Sequence, residues 1–101
     1  MTQIETMTDE VVDWIKEFIP DEDRDPFNTA IKMSEEVAEL LHALYANDTV
    51  RGIEDECADI LILLLDVAYL HEIDLAQAFK RKMDMNRERQ WSHKRGSMFH
   101  D

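Results

Sequence analysis

Two acidic clusters at helical spacing, set in stretches otherwise apolar enough to form a core, constrain this chain more than any other feature. The first reads Ser34-Glu35-Glu36-Val37-Ala38-Glu39 and the second Glu54-Asp55-Glu56-Cys57-Ala58-Asp59. Taking an ionised carboxylate out of water costs on the order of several kcal/mol unless a partner compensates it. Few basic residues neighbour these acids in the chain. A fold that puts both clusters in its interior therefore has to supply a counter-charge, and a divalent cation is the simplest one.

The surrounding pattern is helical. With 45% apolar residues and only two glycines and two prolines in 101 residues, the chain excludes disorder and a turn-rich β fold. It is long enough for one core, marginal for a monomer standing alone. In residues 1–19, Ile4, Met7, Val11, Trp14, Ile15 and Phe18 recur at steps of three and four. This predicts a first amphipathic helix with Trp14 and Phe18 in the core. The polar run from Pro20 to Asp25 is a loop, and Asp25-Pro26 starts the next helix as an N-cap followed by proline at its first position.

That second helix is expected over about 26–46, with Met33, Val37, Ala38, Leu40, Leu41 and Leu44 on one arc and Lys32, Glu35, Glu36 and Glu39 on the other. After a connection over 47–52, with Gly52 as a turn former, a third helix is expected over about 53–70. From Ile60 to Leu70 it is apolar nearly all round, leaving a narrow strip of Asp55, Asp59 and Asp66 with Glu56 beside it. A helix of that kind is buried on all sides, which a few short helices of one chain cannot achieve. A homo-oligomer follows, a dimer or a dimer of dimers, with the third helix near the interface. Asp74 and Gln77 resemble a capping box opening a fourth helix that carries Lys80, Arg81, Lys82, Arg87 and Arg89. Residues 1–90 thus read as one all-α domain, and 91–101 as a basic C-terminal tail without periodicity.

The net charge of −12 is divided unevenly: residues 1–79 hold 4 basic and 20 acidic side chains, residues 80–101 hold 7 basic and 3 acidic. Overall acidity disfavours a duplex-binding surface, and the plain alternative for the basic end is a solvated helix face. Cys57 is the single cysteine, expected as a small buried side chain. The N-terminus shows no signal-peptide pattern, and the apolar run of Ile60–Leu65 is far too short to span a bilayer. A soluble, cytoplasmic protein with no membrane partner is expected.

Glu36 and Glu39 are three apart, as are Glu56 and Asp59. Residues at that spacing lie side by side one turn apart. An antiparallel pairing of the two helices would bring four carboxylates together, an oxygen set suited to Mg²⁺ that also grips a triphosphate. The bland reading, ordinary surface acids with Lys32 pairing Glu36, competes with this. It is outweighed because the second cluster lies in the most apolar helix.

The pattern Glu35-Glu36-x-x-Glu39, sixteen residues, then Glu56-x-x-Asp59 resembles the signature of the MazG-like all-α nucleoside triphosphate pyrophosphohydrolases. Pro26-x-Asn28 and Lys82-Met83-Asp84-Met85-Asn86-Arg87-x-Arg89 are similar to segments of its dCTP pyrophosphatase branch, so the resemblance covers roughly residues 20–90. It implies a four-helix-bundle-like fold and a Mg²⁺-dependent enzyme that cleaves a nucleoside triphosphate between its α and β phosphates, with dCTP as the leaning. It further implies Glu36, Glu39, Glu56 and Asp59 as metal ligands, Glu35, Glu36 and Glu39 as catalytic residues, and Asn28, Lys82, Asn86 and Arg89 as substrate contacts. Where that branch places aromatic base contacts this chain has Ala46 and Leu63.

Two other classes compete. One is a non-catalytic helical module that binds a nucleotide or partner; the other is a di-iron bundle, raised by Glu39-x-x-His42. The bundle requires a second Glu-x-x-His, and the third helix offers Glu56-x-x-Asp59 instead. A phosphoribosyl-ATP pyrophosphohydrolase shares the helical plan as well.

Overall fold

The computed structural model describes residues 1–89 and the backbone of 91–94 and 97–100. Residues 90, 95, 96 and 101, which include part of the expected basic tail, lie outside the described residues. Four helices follow in order, α1 (Gln3–Ile15), α2 (Pro26–Tyr45), α3 (Val50–Leu70) and α4 (Leu75–Glu88), with a 3-10 turn at Asp21–Asp23. An antiparallel pair of short strands, β1 (Trp91–Lys94) and β2 (Ser97–His100), pairs Trp91 with His100 and Lys94 with Ser97. Lost helical periodicity at the C-terminus did not announce this hairpin.

Local chemistry starts each helix. Thr2, Asp25, Thr49 and Asp74 each accept a backbone N–H of the first turn through their side chains, satisfying one of the donors a helix start leaves orphaned. The Thr49 cap also explains why α3 begins at Val50, earlier than the expected 53: it receives the Gly52 N–H at 3.1 Å, so Gly52 belongs to the helix and not to the turn. Between α2 and α3 the chain reverses over 46–49. The turn is closed by Asp48 N–H on the Ala43 carbonyl at 2.9 Å and passes through Asn47 at φ 55°.

Packing is carried by α2 against α3 and α1 against α3. The buried apolar side chains are few, Val12, Ala43, Leu65 and Ala68. Three expectations are corrected here. Trp14 and Phe18 are exposed, meeting edge to face at 5.8 Å on the surface, since α1 buries Val12 and turns them outward. Cys57 is exposed, one residue round α3 from the covered face. On α2 neither arc as a whole turns inward. Leu41 is 68% and Tyr45 91% exposed, with Val37 and Leu44 also open, and Lys32, Glu35 and Glu39 are exposed as well. The covered face runs along the seam between the two arcs, through Met33, Glu36, Leu40 and Ala43, with Glu36 only 8% exposed.

Candidate metal centre

The Pro26 start of α2 and the short reversal at its far end set the two helices antiparallel, so that Glu36, midway along α2, comes opposite the second turn of α3. Ligand atoms of Glu36, Glu56 and Asp59 all lie within 4.8 Å of one another. Glu36 is buried, Glu56 half-buried and Asp59 exposed, which makes the cluster open on one side. Glu39 is not in this trio. It lines an adjoining cleft with Glu56, His42 and Asp48, so the structure places it beside the cluster. His42 is exposed there.

The electrostatics ask for a cation. Two like charges about 5 Å apart in a partly buried setting repel by roughly 3 kcal/mol at an effective dielectric constant near 20. Against three carboxylates stands Lys32, whose Nζ is 3.4 Å from Glu36 Oε1 and 3.4 Å from Glu35 Oε2. Hydrogen bonding to Glu35, then to Glu36, raises the lysine above its ordinary 10.5. Lys32 thus answers Glu36 and leaves Glu56 unanswered. Glu56 Oε2 is buried and accepts no hydrogen bond from the described residues. An orphaned buried carboxylate oxygen beside two more carboxylates is what a divalent-cation ligand looks like without its ion. The residues present therefore fit such a metal.

Other predicted residues fall elsewhere. Asn28 lines a cleft with Lys32, Trp14, Thr29 and Leu63, and Lys32 links that cleft to Glu36. Lys82 is exposed along a nearly wholly apolar groove with Ile4, Leu61, Leu64 and Phe79, which no member of the trio lines. Asn86 accepts the Arg89 N–H through its backbone carbonyl at 3.3 Å, with Arg89 closing α4. Neither Asn86 nor Arg89 lines the clefts beside the carboxylates.

Asp66, expected in the acidic strip, has a different role. It is 2% exposed and holds the Arg24 guanidinium through two bonds, Nε to Oδ2 at 3.2 Å and NH2 to Oδ1 at 3.1 Å. Arg24 also donates to the Ile19 carbonyl at 2.9 Å and pairs with Asp21 at 2.9 Å, and Asp21 accepts the Tyr69 hydroxyl at 2.5 Å. Sequence reasoning missed this network because its partners lie 42 and 48 positions apart. The unpaired look of an aspartate in the most apolar stretch of α3 was the one available signal.

With this geometry in hand, comparison with known proteins is informative. The MazG nucleotide pyrophosphohydrolase domain matches residues 24–92. The chain is 38% identical over 92 residues to a dATP/dGTP diphosphohydrolase of Cyanophage S-2L, covering 90% of this chain and 81% of the relative. It is 38% identical over 78 residues to a dATP/dGTP diphosphohydrolase of Salmonella phage PMBT28, covering 77% of this chain and 24% of that much longer protein. Among solved structures it resembles the Cyanophage S-2L MazG-like pyrophosphohydrolase bound to dGDP and three catalytic Mn²⁺ ions per active site. The TM-score is 0.78 at 32% identity, over 100% of this chain and 99% of that one.

Proposed function

Since the chain belongs to the MazG nucleotide pyrophosphohydrolase family, a family of hydrolases acting on nucleoside triphosphates, we propose that it converts a purine deoxynucleoside triphosphate to the monophosphate and pyrophosphate. The observation that carries the reading is the trio of Glu36, Glu56 and Asp59 with the unpartnered Glu56 oxygen. Both phage relatives are named for dATP and dGTP, which favours a purine over the dCTP toward which the resemblance of individual segments leaned. Leu63 in the cleft beside Asn28 and Trp14 leaves room that an aromatic side chain would fill.

Glu36, Glu56 and Asp59 would hold the metal, with Glu39 completing the set from the adjoining cleft and Glu35 as an auxiliary carboxylate that would orient a water or hold a further ion. When bound, the divalent cation neutralises phosphate charge and acidifies a bound water. Mg²⁺ suits the all-oxygen set, and Mn²⁺, present in the solved relative, suits it equally. Lys32, within 3.4 Å of both Glu35 and Glu36, would add its charge to the neutralisation of an arriving phosphate. Phosphoryl transfer needs positioning and charge neutralisation more than covalent help, and these side chains offer both. In this reading residues 1–90 are the working domain, and Lys82, Asn86 and Arg89 reach the phosphates or sugar from α4 of the assembled protein.

A homo-oligomer is part of the proposal. The chain exposes 7963 Å², against about 6,000 Å² for a compact monomer of this mass. The excess of about 2,000 Å² is of the size an obligate dimer buries per subunit. On α2, Phe27, Ile31, Leu41 and Tyr45 are exposed and, at about 100° per residue, their steps of four and ten keep them on one stripe of the helix; a second copy of the chain is the occupant that closes it.

Incubation of the purified protein with dATP, dGTP or dCTP, each with Mg²⁺ or Mn²⁺, tests the activity. Monophosphate and pyrophosphate from the purine substrates, abolished by Glu39→Gln, are expected. Orthophosphate as the product would overturn the reaction, and faster turnover of dCTP would overturn the purine preference.

A further inference from the structure

We infer that the Arg24–Asp66 pair is a positioning clamp that keeps α2 in register with α3 and thereby sets the spacing of Glu36 from Glu56 and Asp59, an inference that rests on the metal reading of that trio. The argument begins with what does not set the register. The face α2 lays against the fold runs through Thr29, Met33, Glu36, Leu40 and Ala43, while Val37, Leu41 and Leu44 stay open. Such a face, with only half-buried Met33 and Leu40 as large apolar side chains on either side of a buried carboxylate, resists sliding weakly, and a slip of one turn moves Glu36 by about 5.4 Å, more than the separation within the trio.

Directional bonds hold the helix pair at both ends instead. At one end the reversal is pinned by Asp48 Oδ1 accepting the Thr49 N–H at 2.7 Å and Thr49 Oγ1 accepting the Gly52 N–H at 3.1 Å. At the other, Arg24 stands immediately before Asp25, the residue that caps α2. All three guanidinium nitrogens of Arg24 are engaged, by Asp66, Asp21 and the Ile19 carbonyl, and a planar fork so held tolerates little displacement. Asp66 lies seven residues beyond Asp59 on α3, two turns along the same stripe. The metal trio therefore sits between two fixed ends on a pair of rigid helices.

Burial sharpens the point. The side chains of Arg24 and Asp66 are 5% and 2% exposed. A buried ion pair adds little or nothing to stability over well-packed apolar side chains of the same volume, and its best-attested use is to specify register. That separates the clamp from a merely stabilising contact, because the two roles respond oppositely to an apolar replacement.

The test is the double variant Arg24→Met/Asp66→Leu in the full chain, followed by thermal unfolding without metal and by calorimetric titration with Mn²⁺ alone. The expected result is a cooperative transition close to that of the unsubstituted protein, together with Mn²⁺ affinity weakened about tenfold or more, the range seen when residues that orient metal ligands are removed. Arg24→Lys, which keeps the charge and loses the fork, is expected to fold and to weaken Mn²⁺ several-fold, and it decides the question should the double variant not fold. Mn²⁺ affinity unchanged in the folded variant overturns the clamp alone. Absence of Mn²⁺ binding by the unsubstituted protein overturns the metal reading, and the clamp with it.

Discussion

Glu56 and Asp66 sit ten positions apart on one helix and show how environment gives two carboxylates different work. Asp66 has a guanidinium on both its oxygens, whereas Glu56 has a buried oxygen with no partner. Glu56→Gln removes one member of a crowded like-charge cluster. Its expected effects are an unchanged or raised melting temperature without metal and loss of Mn²⁺ binding by at least tenfold, read by calorimetry on the same sample. Asp66→Asn leaves Arg24 buried without its counter-charge, and such a change costs about 3–5 kcal/mol, visible in urea unfolding. Asp21 supplies a pH dependence. The Tyr69 hydroxyl foremost holds its carboxyl below the ordinary 3.8; burial, the next largest effect, opposes it, and Arg24 and Lys16 add to the lowering. A carboxyl depressed on folding contributes stability that is complete above its unfolded value and is lost as pH falls through the folded one. Asp21→Asn is accordingly expected to flatten the acid limb of the stability profile below about pH 4 and leave the neutral region's slope unchanged.

The helices differ in how far their neighbours decide their behaviour. α3 owes its start to Thr49, and Thr49→Ala is expected to cost about 1 kcal/mol, or about 4–8 °C in melting temperature for a domain of this size. The loss falls on the helix that carries both Glu56 and Asp59, so Mn²⁺ affinity measured near the melting transition falls with it. α2 obeyed its caps, running from Pro26 to Tyr45 much as its pattern foretold, yet it meets the fold along the edge of its apolar arc. An apolar arc normally turns inward because burial favours it by about 25 cal/mol per Å². Here only Met33 and Leu40 of that arc are covered, beside Glu36, while Val37, Leu41 and Leu44 stay open.

At the scale of the whole molecule, openness supports the proposed assembly. Its radius of gyration is 15.9 Å, where a compact chain of this length has about 13 Å, and α4 with its basic residues adds little to the packing of the other three. Leu41 is far out on the open stripe of α2, so Leu41→Lys leaves the fold of one chain untouched. Light scattering of that variant is expected to move toward 11.9 kDa, with pyrophosphohydrolase activity falling alongside. An unsubstituted protein that is monomeric at micromolar concentration contradicts the assembly. Among the described residues no helix is long and apolar enough to cross a membrane.

The all-α fold, the helix starts at Asp25 and Asp74, and the pairing of Glu36 with Glu39 and of Glu56 with Asp59 on single helices were legible in the chain. Each depends on neighbours within a turn or two, where periodicity and capping act. Three things were not legible: that α2 meets the fold along the seam between its two arcs, that Asp66 belongs to Arg24, and that Glu36 but not Glu39 joins Glu56 and Asp59. A repeat of 3.6 residues says which side chains share a face and is silent on which face turns inward. That choice is made by contacts between residues dozens of positions apart, where the cost of burying a charge is set against the partner that meets it, and only the packed helices bring charge and partner together.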